Sequence, residues 1–290
     1  MNRLFVFGLG YTAAAVGALL REKGWPVSGT VRSPEKFESV KRRGFVPLLF
    51  SDGNGIGLAL RGATHCLVSV PPGEAGDPVL AAHREALRRA GSLRWAGYLS
   101  TIGVYGDLQG AWADEETPAE PGTGRGSARI EAETAWSAFC REHALPLDIF
   151  RLAGIYGPGR NPLDRVRAGG ARRVVKPGQV FNRIHVEDAA QTVAAAMLQE
   201  RGEAGTRVFN VADDEPAPPQ DVILFAAGLI GVPPPPEVPF ESAELSPMAR
   251  SFYSGNRRMR NDKIKAELGV VLSYPTYREG LRALAERPAS

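Results

Sequence analysis

The sequence predicts an α/β fold, a doubly wound parallel sheet with a smaller C-terminal lobe. Two observations predict it. Short apolar strand candidates alternate with helical segments, and a glycine turn, Gly8-Leu9-Gly10-Tyr11-Thr12-Ala13, stands immediately after the first strand. A chain of 290 residues, 43% hydrophobic and 23% charged, has the make-up of a globular protein with a sizeable core.

The strand candidates are Leu4–Phe7, Val27–Val31, 46–50, 66–70, 97–100 and Leu147–Leu152. The first helix, 12–23, is rich in Ala and Leu and ends at Gly24, a suitable C-cap. A second covers 81–90. A third, 127–143, takes Ser127 as its N-cap and places Ala132, Ala135, Trp136 and Phe139 at the spacing of a buried face. The clearest helical period follows His185: Val186, Ala189, Ala190, Val193, Ala194, Met197 and Leu198 share one face, and Glu187 and Asp188 suit the positive end of the helix dipole. A strand at 207–211, a helix at Pro219–Leu229 and the proline run 233–236, read as a stiff surface loop or lid, complete the pass. Residues 1–155 are expected to form the sheet domain, with 172–211 returning to it. Segments 156–171 and 212–290 are expected to form the smaller lobe over the C-terminal strand edge.

The formal net charge is +3 and the basic residues are scattered, so nucleic-acid binding is not implied. Cys66 and Cys140 lie far apart without metal-ligand spacing, which points to a reducing compartment and no structural metal. The apolar stretch from Leu4 to Leu20 superficially resembles a signal peptide, but Gly8 and Gly10 interrupt it where a strand-to-helix turn needs them. No run approaches the length of a membrane span. A cytoplasmic location without membrane contact is expected.

The glycine turn is a Rossmann-type fingerprint. Glycine allows the tight turn and the approach of a pyrophosphate, Tyr11 and Thr12 open the helix whose unpaired N–H groups face the phosphates, and small Ala13 permits close helix–strand packing. Where an NAD-type protein carries a carboxylate for the ribose, the second strand ends in Thr30-Val31-Arg32-Ser33. Arg32, Ser33 and Lys36 instead suit the 2′-phosphate of NADP, so NADP is the expected cofactor and NAD the lesser alternative; a solvated loop arginine is the plainer reading of Arg32. Asp52 either accepts from the adenine amino group or caps the turn after it. Ser69, Val70 and Pro71, at the end of the fourth strand, and Gly154 and Ile155 are placed in the cofactor-binding set.

Three further segments carry a family resemblance. Ser100-Thr101-Ile102-Gly103-Val104-Tyr105-Gly106, Arg151-Leu152-Ala153-Gly154-Ile155-Tyr156-Gly157-Pro158-Gly159 and Ile184-His185-Val186-Glu187-Asp188 resemble segments of extended short-chain dehydrogenases/reductases of the NAD-dependent epimerase/dehydratase type, and Phe209-Asn210-Val211 matches in place. The likeness covers nearly the whole chain in the family's order. The glycine motif is one residue shorter than the family's usual form, which points to an atypical subgroup. The resemblance implies a Tyr-x-x-x-Lys at the start of the third helix, but Arg125 and Arg129 stand at those positions and no tyrosine lies between Tyr105 and Tyr156.

The resemblance gives Thr101 the role of orienting the reacting oxygen; a strand-end hydroxyl bonded to neighbouring backbone is the plainer reading. Tyr105 is a candidate acid and substrate contact. Arg129 takes the place of the lysine on the nicotinamide ribose, or is a surface arginine. Arg125, which stays protonated, cannot act as an acid and is assigned to an anionic substrate. His185 is read as a structural residue at a helix start. Arg257-Arg258-Met259-Arg260 with Lys263 and Lys265 reads as a solvated helix face, or as a surface for a phosphorylated substrate. The sequence thus points to an NADP-dependent oxidoreductase or epimerase/dehydratase-like enzyme acting on an anionic carbonyl, hydroxyl or sugar compound, or else to a non-catalytic NADP-binding sensor. A homodimer follows only from the family's habit of pairing.

Overall fold

The computed structural model describes residues 1–122, 124–201 and 204–286. Strands β1 (Leu4–Phe7), β2 (Val27–Val31), β3 (Val46–Leu49), β4 (His65–Val68), β5 (Trp95–Thr101), β7 (Leu147–Leu152) and β11 (Thr206–Val211) form one parallel sheet in the order β11-β7-β5-β4-β1-β2-β3. The order reverses at β1, which leaves a crevice at the carboxyl ends of β1 and β4. Three parallel pairs stand outside the sheet: β6 (Trp112–Ala113) with β13 (Arg258–Met259), β8 (Gly154–Tyr156) with β10 (Arg183–His185), and β9 (Arg173–Val175) with β12 (Glu237–Pro239).

Helices cover both sheet faces, so the central strands are continuous apolar runs, and side chains alternate between two cores. Leu4 and Val6 of β1 face one core, with Leu67, Leu99 and Phe150; Phe5 and Phe7 face the other, with Cys66, Tyr98 and Ile149. Helices α1 (Tyr11–Glu22) and α7 (Val186–Leu198) pack together over the first face, where Ala13, Ala14, Ala189, Ala190 and Ala194 allow close approach. After α2 (Phe37–Arg42), the helices α3 (Gly53–Arg61), α4 (Pro78–Arg88) and α5 (Gly124–Glu142) contribute to the second face through Ile56, Leu60, Val79, Leu87, Trp136 and Phe139. Gly29 of β2 is required by packing: a Cβ there would lie 2.6 Å from the Val6 carbonyl.

Helices α6 (Pro162–Arg167), α8 (Pro219–Leu229) and α11 (Tyr277–Glu286) enclose a third core with Tyr156, Leu163, Ile223 and Leu281, and Tyr253, just past α9 (Pro247–Ser251), belongs to a fourth. Helix α10 (Asp262–Leu268) behaves differently, placing Ile264 and Leu268 in the first sheet core.

Several expectations are revised. α5 starts at Gly124, so Ser127 lies inside the helix and does not cap it. Of the segment 172–211, α7 and β11 join the sheet layers, whereas β9 and β10 pair elsewhere because Glu237–Pro239 and Gly154–Tyr156 offer them parallel edges. The proline run keeps its expected place as a surface loop and leads into β12. Leu198 departs from the buried face of its helix and is 45% exposed. The stretch read as a basic helix face is instead β13 followed by the start of α10.

One buried group makes stability depend on pH. His65 of β4 lies with its ring centroid 4.6 Å from Trp25 and 6.0 Å from Trp95, and its Nδ1 is 2.9 Å from the Thr64 hydroxyl. Burial, helped by Arg94, pushes its pKa down from 6.5 to about 4. Protonation therefore favours the unfolded chain: the contribution is complete above pH 6.5 and is lost as pH falls from there toward 4. Between pH 7 and pH 5 the wild type should lose about 2 kcal/mol that a His65→Gln variant keeps. Urea unfolding at both pH values measures this, and equal losses in the two proteins would contradict it.

Candidate cofactor and substrate site

A cavity of about 890 Å³ opens at the crevice between β1 and β4. Gly8, Gly10 and Tyr11 line it from the β1–α1 turn, Arg32, Ser33 and Lys36 from beyond β2, and Ser69, Val70 and Pro71 from beyond β4. Gly8 has φ +88°, and a Cβ there would meet the Val70 side chain at 2.9 Å. Its N–H donates to the Thr30 hydroxyl at 2.9 Å. Gly10 caps α1 without a side-chain hydrogen bond, so backbone donors of the first turn have no capping side chain. A turn pressed close to its neighbours, followed by an uncapped twelve-residue helix, fits a dinucleotide pyrophosphate.

The end of this cavity beyond β2 is basic. Arg32 is exposed beyond β2, Lys36 ends a short helical turn at Pro34–Lys36, and Arg43, which the sequence reading missed, lines the same wall just past α2. No Asp or Glu lines the cavity, and none of these three cations joins an ion pair among the described residues. Spacing along the chain could not reveal Arg43, because it reaches the site only once α2 folds back.

A second cavity, of about 480 Å³, lies beyond the ends of β5 and β7. Thr101, Gly154 and Ile155 line it, together with Arg160, Arg183 and Arg257. The turn after β8 adjoins both cavities: Tyr11 donates its hydroxyl proton to the Pro158 carbonyl at 3.0 Å, and the Arg160 guanidinium lies 5.9 Å from the Tyr11 ring centre. Thr101 accepts from the Gly103 N–H at 3.1 Å, the local bond that its plainer reading requires, and also lines the cavity. Exposed Arg125 sits at the rim, with its guanidinium 5.8 Å from the ring centre of Phe252, another lining residue.

Other expected positions fall elsewhere. Thr12 and Ala13 are buried in α1 and pack toward the sheet. Asp52 caps α3, accepting from the Gly55 N–H at 2.9 Å, and does not line the first cavity, so capping prevails over adenine recognition. Arg129 donates to the Leu99 carbonyl at 2.8 Å and the Tyr98 hydroxyl at 3.2 Å, which turns it away from either cavity. His185 is fully buried, and its ring accepts from the Glu187 N–H at 3.3 Å.

Tyr105 corrects the expectation of an acid in contact with substrate. Only 1% exposed, its hydroxyl donates to Asn210 Oδ1 at 2.8 Å and accepts from Arg151 at 2.9 Å. Burial raises its pKa, with Arg151 opposing. It belongs to a buried network invisible in the linear sequence. Arg151 pairs with Glu133 of α5 at 2.8 Å, and Glu133 accepts from the Ser100 hydroxyl at 2.5 Å. Burial works against the Arg151 charge, but Glu133 outweighs it and the pKa rises. At the far end, Glu115 accepts from the Asn210 N–H at 2.6 Å.

A doubly wound parallel sheet with a glycine turn at its reversal point defines a Rossmann-type protein. Residues 84–212, the stretch holding β5, α5, β7 and α7, match the model of the NAD dependent epimerase/dehydratase family. It is similar along nearly its whole length to the structure of a functionally unknown conserved protein from Silicibacter pomeroyi, at 52% identity and a TM-score of 0.90, with 98% of each chain covered. Protein YeeZ of Escherichia coli K12 is 29% identical over 293 residues, covering 95% of this chain and 97% of that protein. A 3-diazoavenalumate denitrifying reductase from a Streptomyces species is 30% identical over 147 residues, covering 46% of this chain and 45% of that one.

The buried pair gives a prediction. Arg151→Met leaves the Glu133 charge without its partner and should cost about 3–5 kcal/mol, whereas Glu133→Leu with Arg151→Met should recover most of that. Urea denaturation of the three proteins decides it, and a double variant as unstable as the single one would refute the coupling.

Proposed function

We propose that the chain is an NADP-dependent oxidoreductase or epimerase/dehydratase-like enzyme acting on a small anionic carbonyl or hydroxyl compound. The observation that carries the reading is a glycine-turn cavity with three cations that join no ion pair among the described residues and no carboxylate in its lining, Glu35 standing outside it with a hydrogen bond to Ser33. The Gly8–Gly10 turn and the first turn of α1 would hold the pyrophosphate; Arg32, Ser33 and Lys36 would hold the 2′-phosphate. Ser69, Val70 and Pro71 would flank the cofactor, while Gly154, Ile155 and Thr101 would lie toward the reacting centre. NADP bound there supplies or accepts a hydride.

This chain's residues then bind and orient. Thr101 is the hydroxyl available in the second cavity to direct a substrate oxygen, and Arg125 at the rim would draw an anion inward. Tyr105 is committed to its network, and Tyr156 has a pKa raised by burial, so the proton would come from water or from the substrate itself. The reductase among the relatives supports redox chemistry. Buried free thiols at Cys66 and Cys140 suit a reducing, cytoplasmic setting.

The commitment of Tyr105 and Tyr156 to hydrogen bonds within the protein also favours a second reading, an NADP-binding sensor without turnover. Absorbance of NADPH followed with a panel of carbonyl acids separates the two: oxidation supports the enzyme, and tight NADPH binding with no oxidation supports the sensor.

Arg32→Ala should weaken NADP binding by about ten- to a hundredfold, the effect of losing a charge-assisted contact of about 1.5–3 kcal/mol, and should leave NAD binding nearly unchanged. Fluorescence titration with both cofactors checks this; equal losses would show that Arg32 does not read the 2′-phosphate.

A further inference from the structure

The wall of the second cavity carries three guanidinium groups, Arg160, Arg183 and Arg257, and no Asp or Glu. Arg183 donates through one nitrogen to the Phe181 and Ala217 carbonyls, at 2.9 and 3.2 Å. Arg257 donates to the Gly106 carbonyl, and its Nε is buried without a hydrogen-bond partner. Among the described residues, none of the three takes part in an ion pair.

Neighbouring acids act on this wall from a distance, and none forms an ion pair with it among the described residues. Asp213, the acid whose charge acts on Arg183, forms no ion pair with it, and burial raises the Asp213 pKa, with Arg183 opposing. Asp107, which acts on Arg257, already accepts from the N–H groups of Asn256 at 2.8 Å and Gln109 at 3.1 Å. Burial lowers the pKa of both Arg183 and Arg257. Cations drawn partly out of water without a counter-ion are unfavourable, and an anionic ligand removes that imbalance.

The rest of the wall is unsuited to a ligand rich in hydroxyls. Leu152, Val180, Val222 and Leu281 supply apolar surface. Asn182 is occupied on both sides of its amide, donating to the Arg257 carbonyl at 2.9 Å and accepting from the Met259 N–H at 2.8 Å. Tyr156 directs its hydroxyl at the Thr276 carbonyl, 3.4 Å away. Sugar hydroxyls entering here would give up water for few new partners.

Building on the proposed cofactor reading, we infer that the substrate of this cavity is a compact carboxylate with an apolar, ring-sized body, not a nucleotide sugar, and that Arg257 is the counter-ion that recognises its charge. Arg183 and Arg160 reinforce the positive wall, and the apolar side chains receive the body. A volume of about 480 Å³ is in the range for such a ligand.

Calorimetric titration of the full-length protein, with and without saturating NADP⁺, tests this with three probes: 3-phenylpropanoate, its neutral counterpart 3-phenylpropan-1-ol, and UDP-glucose. The acid should bind at least about tenfold more tightly than the alcohol or UDP-glucose, and Arg257→Gln should reduce its advantage over the alcohol to about threefold or less. An alcohol that binds as well as the acid, UDP-glucose as the tightest ligand, no binding by any probe, or an acid preference that survives in Arg257→Gln would each overturn the inference. Should the variant not fold, the comparison of acid with alcohol on the wild type decides alone. The NADP⁺ titration keeps the two readings apart: failure of NADP⁺ to bind while the acid preference holds in the cofactor-free protein removes the cofactor reading only, and NADP⁺ binding without an acid preference removes this inference only.

Discussion

The buried ion pair between Glu133 and Arg151 is the interaction around which the carboxyl end of the sheet is arranged. Both side chains are nearly excluded from solvent, at 7% and 9% exposure, so neither charge is tolerable without the other. The pair joins α5 to β7. Ser100 draws in the end of β5, Tyr105 the turn beyond it, and Asn210 the strand β11. Four side chains from three recognisable segments, Ser100, Tyr105, Arg151 and Asn210, are therefore one hydrogen-bonded unit. That unit holds in place the turn carrying Ile102 and Gly103, which line the second cavity.

Several arginines outside the cavities have a carboxylate partner: Arg151 has Glu133, Arg201 and Arg207 share the fully buried Asp148, and Arg278 has Glu215. Asp148 also accepts from the Trp95 indole at 2.7 Å, which ties β5 to β7 below the cavities. Arginines that line the cavities, Arg32 and Arg43 in the first and Arg160, Arg183 and Arg257 in the second, have no such partner among the described residues. A net charge of +3 conceals this sorting, because it averages the cavity-lining cations with the acids elsewhere in the chain.

Readable features of the sequence were those set by short-range chemistry. Strand β1 is four apolar residues with glycines after it, α7 holds its period for three turns, and α8 begins and ends where proline and leucine place it. Errors arose where a distant segment decided the outcome. Ser127 has the chemistry of a cap, yet α5 already begins at Gly124, and Gly126 packs with its Cα side against Pro121 and the Gly103 carbonyl. The segment holding Arg257 has the composition of a solvated helix, but β6 offers Arg258 and Met259 a parallel edge and draws the chain into a strand.

The sequence by itself determined the sheet class, the position of the glycine turn and the lack of a carboxylate at the end of β2, because periodicity, the conformational freedom of Gly8 and the residue types present are local properties. Tertiary structure alone decided which polar residues face ligand and which face one another. Tyr105 and Arg129 looked like site residues and are turned into the protein's own hydrogen bonds, while Arg43, Arg183 and Arg257 are carried into cavity walls by elements remote in sequence. The physical reason is that a side chain's partner is set by the element packed across from it, and that packing is fixed only when the sheet, the helices and the outer strand pairs close together.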